Sequence, residues 1–131
     1  MKKLICCAVF CGVLTTGLAF DGNGFVEACK TVRQIEEGSK PLGDYTFADG
    51  LLGGGCMGYL RGFLDNTEFF LVFMNLIEGF KRPYCLPDGV TIEQLVKVGL
   101  TYFEDNPAKL QSTASDSLIL AFGAAFPCEP E

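Results

Sequence analysis

Cysteine placement constrains this chain more than any other feature. Of the seven cysteines in its 131 residues, Cys6, Cys7 and Cys11 fall in the opening segment, which leaves Cys29, Cys56, Cys85 and Cys128 for the remainder. The opening segment runs Met1, Lys2, Lys3, then an uncharged apolar stretch over 4–18, then Gly17, Leu18 and Ala19 ahead of Phe20. A basic start, an apolar middle and a small-x-small end predict a signal peptide over 1–19, cleaved near Ala19. The fifteen residues of the stretch fall short of the roughly 20 that a spanning helix needs, so no stable membrane insertion is expected. Phe10 before Cys11 does not suit a lipid-accepting cysteine. Soluble export is therefore expected, with residues 20–131 as the mature domain.

Four cysteines are an even set, as an oxidising compartment favours. None lies in a Cys-x-x-Cys pair and the chain has no histidine, so neither a zinc site nor a thioredoxin-like redox motif is expected. Loss of Lys2 and Lys3 leaves eight basic residues against sixteen acidic ones, a net charge near −8. Such a surface repels nucleic acid and anionic lipid and favours a basic protein partner; it serves solubility equally well.

The apolar pattern predicts an all-α fold, one small domain of about four main helices without repeats or linkers. Phe25, Val26, Cys29, Val32 and Ile35 recur at three and four, the spacing of one helical face, and the run over 38–43 ends that helix. A second helix is expected from near Phe47 to well past Leu60, with Leu52, Cys56, Tyr59, Leu60 and Phe63 as its buried stripe. Gly50, Gly54, Gly58 and Gly62 line up on the opposite side. Each glycine costs about 1 kcal/mol relative to alanine in a helix, which points to a groove for a closely packed neighbouring helix. A transmembrane dimer motif is excluded by Arg61, Asp65 and Glu68. The almost wholly apolar 69–77 suits strand or helix by composition, and the stripe continuing through Thr67, Phe70, Leu71, Met74 and Ile77 favours one long helix. Its surplus aromatics predict a subunit or partner interface, with core packing as the alternative. Thr91 with Gln94 forms a capping box for the third helix, whose face is Ile92, Leu95, Val96, Gly99, Leu100 and Phe103. Asn106 and Pro107 are expected to start the fourth helix, buried through Leu110, Ala114, Leu118, Ala121, Phe122 and Ala125.

Four cysteines allow three pairings. Antiparallel helices with a turn near Gly43 bring Cys29 and Cys56 to similar height, and the same reasoning places Cys85 beside Cys128. The expected disulfides are thus Cys29–Cys56 and Cys85–Cys128.

Catalysis finds little support in these residues. Without histidine the usual Ser-His and Cys-His pairs are missing. Asp65 with Glu68, or Glu104 with Asp105, would have to serve as acid and base, and such charges more often sit on solvated helix faces. Gly53, Gly54 and Gly55 lack the Lys-Ser/Thr ending of a phosphate loop. No catalytic residue, metal or cofactor is expected, and binding is the economical function.

The segments Cys56-Met57-Gly58-Tyr59-Leu60-Arg61-Gly62-Phe63-Leu64-Asp65, Tyr84-Cys85-Leu86-Pro87-Asp88-Gly89-Val90-Thr91 with Gln94-Leu95, Asn106-Pro107, and Ala125-Phe126-Pro127-Cys128 together resemble the type VI secretion amidase immunity proteins, a group of resistance-associated periplasmic proteins. The resemblance covers most of the chain from Cys56 onward; residues 20–48 share only Cys29 with it, and 69–80 lie outside it. It implies a periplasmic helical homodimer that binds a peptidoglycan amidase effector and blocks its cleft. It also implies disulfide roles for Cys56, Cys85 and Cys128, close packing at Gly58 and Gly62, and a cap at Thr91. Candidate partner or dimer contacts are Tyr59, Asp65, Phe69, Phe70, Leu71, Phe73, Lys81, Arg82 and Asp88, with core hydrogen bonding as the leading account of Tyr59 and Asp65, and with the loops over 38–45 and 81–89 as recognition segments. The alternative is another exported helical binding module, a periplasmic chaperone or a carrier of an apolar ligand.

Overall fold

The computed structural model describes residues 20–129; the signal peptide expected over 1–19 lies outside them. The described chain is all-α, with helices α1 (Gly22–Glu36), α2 (Phe47–Met74), α3 (Ile92–Asp105) and α4 (Ala114–Ala125). Helix α1 packs against each of the other three.

Local chemistry sets most of the boundaries. Asp21 caps α1, its Oδ1 accepting from the Gly24 N–H at 2.8 Å. Two capping boxes start α2 and α3: the Thr46 N–H donates to Asp49 Oδ2 at 2.7 Å, and the Thr91 N–H donates to Gln94 Oε1 at 2.9 Å. In each, the threonine hydroxyl accepts in return from the backbone three residues on. Helix α2 stops at Met74, short of the expected Ile77, and residues 75–80 continue as turns with Gly79 at φ +81°.

The fourth helix starts later than the sequence suggests. Asn106 does not cap it; its side-chain Nδ2 donates to the Tyr102 carbonyl at 2.9 Å and so closes α3. Pro107 opens only a short 3-10 turn, Pro107–Lys109. The reason is tertiary. The segment after that turn continues as turns over 110–112, the Ser112 N–H donating to the Lys109 carbonyl, and lies beside the start of α1, where the Gly22 and Asn23 N–H groups donate to Ser112 and Leu110 carbonyls at 3.0 and 2.9 Å, and the Ala114 N–H donates to the Phe20 carbonyl at 2.8 Å. Those carbonyls serve α1, leaving the segment no helical ladder of its own.

The core is one cluster in which Phe25, Leu60, Tyr84, Leu95, Leu100, Phe103, Leu118 and Phe122 are essentially inaccessible. Phe25 stacks against Phe103 at 5.6 Å between ring centroids, and Phe122 meets Phe63 at 6.0 Å and Tyr84 at 5.6 Å. Both expected disulfides form. Cys29–Cys56 ties α1 to α2 inside the core, and Cys85–Cys128 ties the loop before α3 to the segment after α4. With sequence separations of 27 and 43, loop-closure entropy assigns them about 3.5 and about 4 kcal/mol.

Candidate partner-binding surface

The expected contact residues divide into three groups. Tyr59 is half-buried on the inner flank of α2, its ring 4.6 Å from Phe20 and 6.4 Å from Phe25. Burial pushes its phenol pKa up, with the Ser115 hydroxyl opposing. Leu71 is also turned inward, only 3% exposed. These two side chains support the fold and do not belong to a free surface.

A second group occupies the outer face of α2. Phe69 is 66% exposed and Phe73 55%, and their rings contact each other at 5.0 Å. Phe70, Val72, Leu76 and Ile77 are exposed around them. Asp65 lies on the same side of the helix in no ion pair among the described residues. Toward the helix N-terminus this face carries the glycines, and here the expectation of a packed groove fails for the single chain. A Cβ built on Gly50, Gly54, Gly58 or Gly62 meets nothing within 4 Å. The core side of α2 is the opposite one, so the other helices never reach the glycine side. At about 1 kcal/mol each relative to alanine, these positions weaken an isolated helix and nothing inside the chain offsets them.

The third group surrounds the loop before α3. Arg82 Nη2 donates to Glu68 Oε1 and Oε2 at 2.9 and 2.8 Å, pinning the loop to the end of α2. The Cys85 N–H donates to the Phe126 carbonyl at 2.9 Å, and the Pro83 carbonyl passes so close to Gly123 that a Cβ there would lie 2.8 Å away. Lys81 and Asp88 project into solvent from this fastened loop, with Gly89 at φ +82° making its final turn. Beside Asp88 opens a groove of about 1000 Å³ between α3 and the end of α4, bordered by Gln94, Lys97, Tyr102, Asp105 and Phe126. Sequence reasoning did not single out this groove. Its polar border reads as an ordinary solvated face of α3, and only the packing of α4 beside it creates a concavity.

The other expected recognition loop, over 38–45, lies at the opposite end of α2, a helix of 28 residues and therefore about 42 Å long. Lys40 orders it, reaching Asp49 Oδ2 at 3.6 Å and lying 4.7 Å from the centre of the Tyr45 ring. Leu42 and Phe47 are left about four-fifths exposed. The two loops do not share one surface.

Of the four carboxylates weighed as acid and base, Glu68 pairs with Arg82 and Glu104 with Arg33, while Asp65 and Asp105 are in no ion pair among the described residues. No cluster of three or more potential metal ligands occurs among the described residues, and no helix of theirs is long and apolar enough to cross a membrane. The family described as Rap1a immunity proteins matches residues 21–128, from the cap of α1 to the last disulfide cysteine. The chain belongs to the Rap1a immunity protein family. This is a family of immunity proteins for secreted effectors. No curated protein and no solved structure matches the chain. The Rap1a match thus takes in all four helices and both disulfides.

Proposed function

We propose that this Rap1a protein works in the periplasm, as a homodimer, by seating on a peptidoglycan amidase delivered through type VI secretion and occluding its active-site cleft. Membership of an immunity family over residues 21–128 is the observation that carries the reading. The exported character of the sequence and its even set of four late cysteines agree with a periplasmic location.

The surface we assign to the enzyme is the loop bearing Lys81 and Asp88 together with the adjoining groove. Inhibition by occlusion needs a rigid projection, because any loop ordered on binding subtracts its ordering entropy from affinity. The Cys85–Cys128 bond, the Cys85–Phe126 hydrogen bond and the Arg82–Glu68 pair remove most of that freedom beforehand. A net charge of −6, near −8 once Lys2 and Lys3 are lost with the signal peptide, adds electrostatic steering toward a basic enzyme surface.

The test is co-purification of the mature protein with amidases encoded beside its gene, followed by peptidoglycan hydrolysis assays. A stable complex, with hydrolysis abolished at stoichiometric protein, is expected. If no neighbouring gene encodes an amidase, and the protein neither binds such enzymes nor protects cells making them in the periplasm, the reading is wrong.

A further inference from the structure

The two disulfides hold different parts of the molecule. Cys29 and Cys56 are wholly inaccessible and join α1 to α2 inside the core. Cys85 is exposed and Cys128 partly so, and they join the loop before α3 to the segment after α4. Upstream of Cys85, Tyr84 is 1% exposed and its ring meets Phe122 at 5.6 Å, so the core itself anchors that point. Downstream, the capping box of Thr91 and Gln94 fixes the start of α3. Between these anchors lies 85–90, in which Leu86 and Val90 are partly buried and Pro87, Asp88 and Gly89 are exposed. The Val90 N–H donates to the Pro87 carbonyl at 3.3 Å, which ties the segment only to itself. Among the described residues, its one outward hydrogen bond runs from the Cys85 N–H to the Phe126 carbonyl at 2.9 Å. The Arg82–Glu68 pair stands before Tyr84 with both side chains well exposed, so it adds little to the hold on 85–90. The disulfide is therefore the main tie on this segment.

We propose that Cys85–Cys128 is a redox latch on the partner-binding loop. Oxidised, it holds 85–90 and the border of the adjoining groove rigid; reduced, it frees them while the helical body stays folded. The latch rests on the assignment of this loop and groove to the amidase, and adds their regulation. The reductant is a dithiol, of the class carried by Cys-x-x-Cys oxidoreductases. One of its thiolates attacks the exposed Cys85 sulfur, forming a mixed disulfide and displacing Cys128 as a thiolate, which takes up a proton. The second thiol of the reductant, after losing its proton, then attacks the mixed disulfide and releases Cys85, which is protonated in turn. Two electrons and two protons pass to the protein, and the reductant ends as a disulfide. The Cys128 sulfur lies 3.8 Å from the Arg82 carbonyl, so the thiol formed there has an acceptor. Cys29–Cys56 offers no path for the same attack, because neither residue has exposed surface. Once freed, 85–90 must be ordered again on binding, and that entropy is subtracted from affinity.

The test treats the mature, oxidised protein with limiting dithiothreitol until peptide mapping of a sample shows Cys85 and Cys128 reduced and Cys29–Cys56 intact. Exchange of the Cys85 amide should then quicken by about tenfold or more, with protection in α1, α2 and α3 retained. Affinity for the amidase encoded beside the gene should fall by about tenfold or more. Reoxidation should restore both. The double variant Cys85→Ser, Cys128→Ser should bind as the selectively reduced protein does, and added dithiothreitol at the same limiting level should change nothing further. Unchanged exchange at Cys85 after verified reduction, or equal affinity in the two redox states, overturns the latch. Loss of protection in the helices on the same reduction also overturns it, since the bond would then staple the whole fold. If the oxidised protein binds no amidase, the immunity reading fails, and the exchange measurement by itself still decides whether the bond latches the loop.

Discussion

Gly99 of α3 approaches Phe25 of α1 so closely that a Cβ in its place would sit 2.8 Å from the ring Cζ, and 2.9 Å from Leu118 Cδ2. Both neighbours are wholly buried, so neither can yield. Gly99→Ala gains about 1 kcal/mol of helix propensity but costs about 1–3 kcal/mol in overpacking. A lower urea midpoint is expected. Gly54→Ala is the opposite case. Its Cβ enters open space, and the isolated chain should gain up to about 1 kcal/mol with a higher melting temperature, measured at low protein concentration.

The disulfides differ in access. Cys29 and Cys56 have no exposed surface, whereas Cys85 is exposed and Cys128 partly so. Limiting reductant followed by alkylation and peptide mass mapping should label Cys85 and Cys128 first, because thiolate attack needs a path to the sulfur. Replacing Cys29 and Cys56 together by alanine should cost about 3 kcal/mol or more, the loop-closure contribution plus packing lost inside the core. Faster labelling of Cys29 would contradict its burial.

Acid should loosen the start of α2. The Thr46 backbone N–H and hydroxyl hold the Asp49 carboxyl below the usual carboxylate range, with Lys40 adding a smaller pull. A depressed folded-state pKa contributes stability that is present above the unfolded value and is lost as pH falls through the folded one. Amide exchange near Phe47 should therefore accelerate as pH drops below the ordinary carboxylate range, after correction for intrinsic rates. Asp49→Asn should flatten that dependence.

At alkaline pH the buried phenols act in the other direction. Burial pushes the Tyr84 pKa up, with the nearby Thr67 hydroxyl opposing, and the phenol makes no hydrogen bond of normal geometry among the described residues. The unfolded tyrosine then ionises first, so stability present below its ordinary pKa declines as pH rises past it. Tyr84→Phe removes an unsatisfied buried group and should be neutral or stabilising by up to about 1 kcal/mol. Its denaturation curve should also lose part of the alkaline decline; a loss of several kcal/mol would show that the hydroxyl has a partner.

The surface proposed to meet the enzyme is checked at the loop before α3. Asp88→Arg leaves the core untouched and should reduce affinity for the amidase with no change in melting temperature, mostly through slower association at low salt. An equal effect on stability would assign Asp88 to the fold.

Much of this protein was determined by sequence alone. Helical spacing from Phe25 to Val32 and from Ile92 to Phe103 identifies α1 and α3, because the 3.6-residue repeat of a buried stripe is a local property of the chain. The Thr91–Gln94 cap follows from equally local geometry, whereas the two disulfide pairings, spanning 27 and 43 residues, follow from setting neighbouring helices antiparallel. The box at Thr46 and Asp49 uses the same chemistry with a shorter acid, and so passed unnoticed.

Tertiary structure decided the rest. Asn106-Pro107 has the chemistry of a helix start, yet the turns after it are claimed by the first residues of α1, nearly ninety positions earlier in the chain. Glycine is equally ambiguous in a sequence. Gly99 and Gly54 both lie on helices at plausible packing positions, and only the placement of Phe25 and Leu118 makes one a contact and leaves the other open. Spacing specifies which residues share a face; what comes to lie against that face depends on residues distant in the chain.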